Sequence, residues 1–134
     1  MTALFISMLM FLSGNQPGLA IRNATVGVAA QGMSSAAFFR IVNNSEEADT
    51  LYGVRAGFAE MAQLHESFRK DGMVGMRPVK FVVIPAKSSF YFKHGGYHIM
   101  LMNVIEDLKS GDKVKLELLF KRAGVITVEA AVKH

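Results

Sequence analysis

The segments KVKLELLFK, residues 113–121, and VITVEAAV, residues 125–132, decide the fold. In the first, Val114, Leu116, Leu118 and Phe120 share one face. Lys113, Lys115, Glu117 and Lys121 mostly take the other. In the second, Ile126, Val128, Ala130 and Val132 point inward and Thr127 and Glu129 outward. Side chains alternate faces along a strand, so this period-two pattern describes two strands of an antiparallel sheet with one wet face.

Working back from this pair, turn signals punctuate the chain. Leu108-Lys109-Ser110-Gly111-Asp112 is a turn, and Tyr97 to Val104 is a strand entered through a tight turn at His94-Gly95-Gly96. Ser88 to Lys93 is a strand, and Phe81 to Ile84 is one stopped by Pro85. Met73 to Met76 is short, and Pro78 bars a central strand there, because proline has no N–H to give the ladder. Glu60 to Arg69 fits two periods. Met61, Leu64 and Phe68 have helical spacing, while Ala62, Leu64, Glu66 and Phe68 alternate. Short strands and turns lie on both sides, so it is taken as a strand. Thr50 to Ala56, Ala36 to Val42 and Ala24 to Ala30 complete the set. Eight or nine short strands with frequent turns predict an all-β sandwich or barrel.

The 134 residues amount to one domain, and part of the 51% apolar content lies in the first twelve residues. Residues 1–20 are expected to be a signal peptide, and residues 21–134 the domain. Ala3 to Leu12 is an apolar run broken by Ser7, and polar residues 13–17 follow it. Gly18 and Ala20 offer small side chains where a signal peptidase reads. The run is about half of the roughly 20 residues a spanning helix needs, so no lasting membrane insertion is expected. No Lys or Arg precedes it. Without cysteine, a leader cut before a lipid-bearing Cys is excluded for these residues. The net charge of +4 is scattered and seldom interleaved with aromatics, which argues against nucleic-acid binding. No Gly-x-Ser-x-Gly or Cys–His arrangement supports an enzyme.

One constellation carries chemistry. The chain has four histidines, and two of them fall in the pattern His65, ten residues, Met76, twenty-one residues, His98, one residue, Met100. His98 and Met100 leave the same face of a predicted strand, with Cα atoms roughly 6.5 Å apart. His65 and Met76 would arrive from a neighbouring strand and the turn after it. Two neutral imidazoles and two thioethers suit a soft, low-charge ion, and Cu(I) fits best. Zinc would prefer Cys or a carboxylate beside His, and calcium would want clustered oxygens. A Cu(II) state would need a harder donor, for which Glu66 or His94 is available. Met33, Met61 and Met102 are read as core filler, and Met73 as filler or an alternative to Met76. Thioethers cannot close into disulfides, which suits an oxidising compartment. A blue-copper electron carrier would need a Cys ligand.

The pattern His-x10-Met-x21-His-x-Met resembles the signature of the periplasmic copper chaperones of the PCu(A)C family. Its context is similar too: Leu64-His65-Glu66, Met76-Arg77-Pro78-Val79, Ile84-Pro85-Ala86, and Gly95-Gly96-Tyr97-His98-Ile99-Met100-Leu101-Met102. The resemblance spans residues 21–134. It implies a cupredoxin-like antiparallel β-sandwich of Greek-key type, with Cu(I) held near the surface by His65, Met76, His98 and Met100. It implies a monomeric carrier in the periplasm that passes copper to the copper subunit of a terminal oxidase or to another copper chaperone, without catalysis. His94 stands where the family often has Pro, and Lys87 where Gly is common. The chain stops at His134, without the His- and Met-rich tail that serves some relatives for Cu(II). The competing expectation is an exported β-sandwich that binds a protein or ligand and no metal.

Overall fold

The computed structural model describes residues 15–16 and 18–134. It contains eleven strands: β1 (Asn15–Gln16), β2 (Leu19–Gly27), β3 (Ser35–Asn43), β4 (Asp49–Arg55), β5 (Ala59–Lys70), β6 (Met73–Pro78), β7 (Val82–Ile84), β8 (Ser88–Phe92), β9 (Tyr97–Val104), β10 (Lys113–Phe120) and β11 (Gly124–Lys133). Among the described residues there is no helix, and hence none long and apolar enough to cross a membrane. The fold is all-β, as the alternating segments predict, and is the cupredoxin-like sandwich that the resemblance implies.

The strands follow the order β6-β5-β9-β3-β2-β11-β10-β4-β7, with β8 on β3 and β1 on β2. All pairings are antiparallel except β2 with β11, which is parallel. β3 divides its edge. Its first residues, Ser35 to Ala37, pair with β9, and Phe39 to Asn43 pair with β8. The sheet thus rolls over itself and closes on one core. Val26, Ile41, Leu51, Ile99, Leu101, Leu116, Leu118, Phe120 and Ile126 are fully buried there.

β10 and β11 behave as their alternation demands, with Leu116 and Leu118 lying beside Val128 and Ile126 on the same buried face of the sheet, continued by Phe120 and Ala130. The turn between them is held by Asp49. Its buried carboxylate accepts from Arg122 N (2.8 Å), Ala123 N (2.9 Å) and its neighbour Thr50 N (2.7 Å). The segment of two possible periods, Glu60 to Arg69, is strand β5. β6 lies at the sheet's edge, where Pro78 is tolerated.

The expected first strand, Ala24 to Ala30, begins earlier in the structure, at Leu19. Asn23 sits at φ 54° within a bulge that shifts the register between Arg22 and Thr25. A bulge puts an extra residue into one strand and breaks its alternation, which hides the first half from a pattern search. The expected leader lies outside the described residues up to residue 14. Its last two residues, Leu19 and Ala20, belong to β2, and Leu19 is 4% exposed within the core.

Candidate metal centre

β9 carries two sets of side chains. Tyr97, Ile99 and Leu101 face the core, and His98, Met100 and Met102 face the other way. β5 lies antiparallel beside it, with His65 directly opposite His98 and Gln63 opposite Met100. On the far side of β5, Met76 of β6 pairs with Ser67, one step along the same face. β3 completes the surface, with Ala36 opposite Met100. Three strands therefore bring His65, Met76, His98 and Met100 onto one outer face, with Met76 on strand β6 rather than on the turn expected after the His65 strand.

Met76, His94, His98 and Met100 line one open cavity of about 190 Å³, together with Ala36 and Phe38. His65 stands beside it, its ring centroid 5.7 Å from that of His98. The depths differ: His98 is 5% exposed, His65 and Met100 are half-buried, and Met76 is 54% exposed.

The histidines are prepared as donors of electron pairs. Nδ1 of His98 lies 3.2 Å from the Gly96 carbonyl oxygen, to which it donates. That leaves Nε2 without a proton, and Nε2 is buried with no hydrogen-bond partner. Nε2 of His65 lies 3.0 Å from Gln63 Oε1 and donates to it, which leaves Nδ1 with the free pair; this atom too is buried and unpartnered. Leaving a buried polar atom unpaired costs about 1–3 kcal/mol. Two such atoms on neighbouring rings, tilted 56° to each other, are free to meet a cation, and fixing one ring nitrogen by a hydrogen bond is how metal-binding histidines are oriented. Burial, and then electrostatic repulsion between the two imidazoles, hold the His65 pKa below its ordinary 6.5, which favours the neutral ring.

The accessory candidates separate. His94 joins the cavity and packs on Phe38, with ring centroids 4.3 Å apart. Glu66, a candidate hard donor, faces away from the site. It lies opposite Tyr97, and its Oε1 accepts from Nε and Nη2 of Arg77, both at 3.3 Å. Burial first, and then the Glu66 charge and hydrogen bond, raise the Tyr97 pKa above 10. Met73 pairs with Lys70 near the hairpin tip, three residues from Met76 and on the opposite face. Neither Glu66 nor Met73 reaches the other donors. Among the described residues no three His, Cys, Asp or Glu side chains gather for a harder metal.

Met33 and Met61 are also not core filler, being 60% and 51% exposed, and Met102 is half-buried. The core consists of Leu, Ile, Val, Phe and Ala, with no methionine among the described residues. Gln63 and Phe38 are the contributors that spacing alone does not reveal. Gln63 shares the face of His65 two residues away, so the period of two was the available signal.

Comparison with known proteins completes the picture. The family model described as "Putative lipoprotein LpqE-like" matches residues 19–132. "Putative lipoprotein Lxx21020" of Leifsonia xyli subsp. xyli is 33% identical over 117 residues, which cover 87% of this chain and 70% of that protein. Among solved structures, CuI-DR1885 from Deinococcus radiodurans has a TM-score of 0.68 at 28% identity, over 88% of this chain and 79% of that one. A copper-bound PCuAC domain from PmoF2 has a TM-score of 0.73 at 21% identity, over 87% and 92%, a likeness of fold.

Proposed function

The chain belongs to the LpqE-like family and has the fold of PCuAC domains, and on that premise we propose that it is an exported copper chaperone. It holds one Cu(I) between His65 and His98, with Met76 and Met100 supplying thioethers. The observation that carries this reading is the pair of buried, unpartnered lone-pair nitrogens, His65 Nδ1 and His98 Nε2, on directly opposed residues. The Cu(I)-bound relative at 28% identity supports the choice of ion. So does the donor set, since neutral imidazoles and thioethers favour a soft monovalent ion.

The different depths of the four donors suit a carrier. Met76 is the most exposed, so an incoming partner replaces it first, and His98, the deepest, is replaced last. Each donor that lets go is neutral, so its departure leaves no unpaired ligand charge on this chain. The acceptors are other copper proteins, such as the copper subunit of a terminal oxidase or a second chaperone. The apolar leader and the lipoprotein description of the relative support delivery outside the cytoplasm; on this reading the carrier works in the periplasm as a monomer.

Chelator competition for Cu(I) on the full chain tests the assignment. Met100→Leu and His98→Ala are each expected to weaken binding by at least about tenfold, or about 1.4 kcal/mol. A variant holding copper as tightly as the parent would defeat it. So would an X-ray absorption spectrum of the loaded protein with no sulfur neighbours. A binding module without metal predicts no copper uptake at all, and the same titration decides between them.

A further inference from the structure

Met102 continues the outward row of β9 beyond His98 and Met100, and Met61 of β5 lies directly opposite it. Cross-strand neighbours of this kind have Cβ atoms about 4.5–5.5 Å apart. Each thioether swings on three rotatable bonds, so the two sulfurs can meet on one ion. The rung Met61–Met102 is one step, roughly 7 Å, from the rung Gln63–Met100. Met100 therefore stands between this pair and the two histidines.

The setting is unusual for methionine. Met61 is 51% exposed and Met102 half-buried, on a sheet face that needs no apolar filler. The pair is not covering the core, which is complete without methionine among the described residues. Two thioethers facing each other in partial contact with water, next to a third, provide two or three soft neutral donors and nothing that attracts a hard cation.

We infer that Met61 and Met102, with Met100 as a shared neighbour, form a second thioether station for a soft monovalent ion, next to the histidine site on the same face. The identity of the ion as Cu(I) rests on the proposed copper site; the existence of the station does not. The station has no imidazole and is weaker than the site beside it. An ion reaching it first passes to the histidines by ligand exchange at Met100: one sulfur–metal contact at Met61 or Met102 is lost as one to a histidine nitrogen forms. No electron or proton moves.

The experiment is an Ag(I) titration of the full chain, followed by the ε-methyl resonances of 13C-methyl methionine. Two steps are expected. The first equivalent shifts Met76 and Met100, and the second shifts Met61 and Met102. The double variant M61L/M102L, a volume-conserving change on a half-exposed face, is expected to take one equivalent in place of two. The inference is overturned if the Met61 and Met102 methyls stay still under excess Ag(I), or if the double variant still takes two equivalents. H98A/M76L keeps the two readings apart. In that variant Met61 and Met102 still respond if the station exists, whether or not the histidine site binds copper. If Met76 stays still in the parent while Met61 and Met102 shift, the histidine site fails and the station stands.

Discussion

At the scale of single residues, His65 links acidity to both folding and metal. Its folded pKa lies below the ordinary 6.5, through burial first and repulsion between the two imidazoles second. The unfolded chain therefore takes up this proton at a higher pH than the folded one. The stability tied to His65 is full above about 6.5, falls as pH drops from there to the folded value, and is level below it. Copper needs the neutral ring, so proton competition at His65 is expected to weaken binding only below about pH 6.5. Chelator competition, with the chelator calibrated at each pH, checks this; a decline that starts above pH 7 would contradict it. Gln63 is the second residue-scale prediction. Gln63→Leu removes the acceptor for His65 Nε2 and frees the ring to turn. Cu(I) affinity is expected to fall about 10- to 100-fold, as for other groups that orient metal ligands, while Gln63→Glu retains it. Parent-like binding by Gln63→Leu would show that the ring needs no such partner.

The β5–β6 hairpin decides where Met76 stands. Asp71 and Gly72, at φ 52° and 79°, form its two-residue turn, and the left-handed twist of both positions suits Asp-Gly. Gly75 lies opposite Phe68, and a Cβ there would come within 2.8 Å of Phe68 Cζ. The Phe68 ring is also covered by Arg77, two residues along β6 from Gly75 on the same face, with its guanidinium carbon 4.8 Å from the ring centroid, and Arg77 is itself tied to Glu66. Gly75→Ala is expected to push β6 off this platform and cost about 1–3 kcal/mol locally. Copper affinity should weaken several-fold although no donor is altered, with the melting temperature changing by a few degrees. Unchanged affinity would mean that Met76 tolerates a displaced strand. Elements of this kind were legible in the sequence to differing degrees. Lys70-Asp71-Gly72 announced the turn, and Pro78 placed β6 at an edge. The alternation of residues 113–121 gave β10. The first half of β2 was hidden, because the bulge at Asn23 breaks the alternation that marks a strand. The four-residue constellation was legible from its spacing, since a period of two puts His98 and Met100 on one face. The opposition of His65 to His98 was not, because register between strands depends on the whole β5–β9 ladder. Glu66 misled for a related reason: it neighbours His65 in the chain but faces the other side of the sheet.

For the molecule as a whole, two contacts distant from the metal face close the fold. Leu19 is buried at the start of β2, and the Asp49 carboxylate gathers three backbone N–H groups at the β10–β11 turn. A chain beginning at Ile21 is expected to be about 2 kcal/mol less stable than one beginning at Gly18, through loss of the Leu19 side chain from the core. Asp49→Ala should cost about 2–4 kcal/mol, because the N–H groups it leaves lose a charged acceptor. Urea unfolding measures both, and a difference under about 0.5 kcal/mol would refute either. The segregation of methionine from the core has one more consequence. Peroxide turns a thioether into a polar sulfoxide, which ruins a soft-metal donor and, in most proteins, also disrupts packing. Here the described methionines all lie outside the core, so an oxidant should silence the carrier and leave its scaffold standing. The injury is then reversible: a folded, copper-blind protein with its sulfoxides on the surface is open to enzymatic reduction and can return to service without being rebuilt.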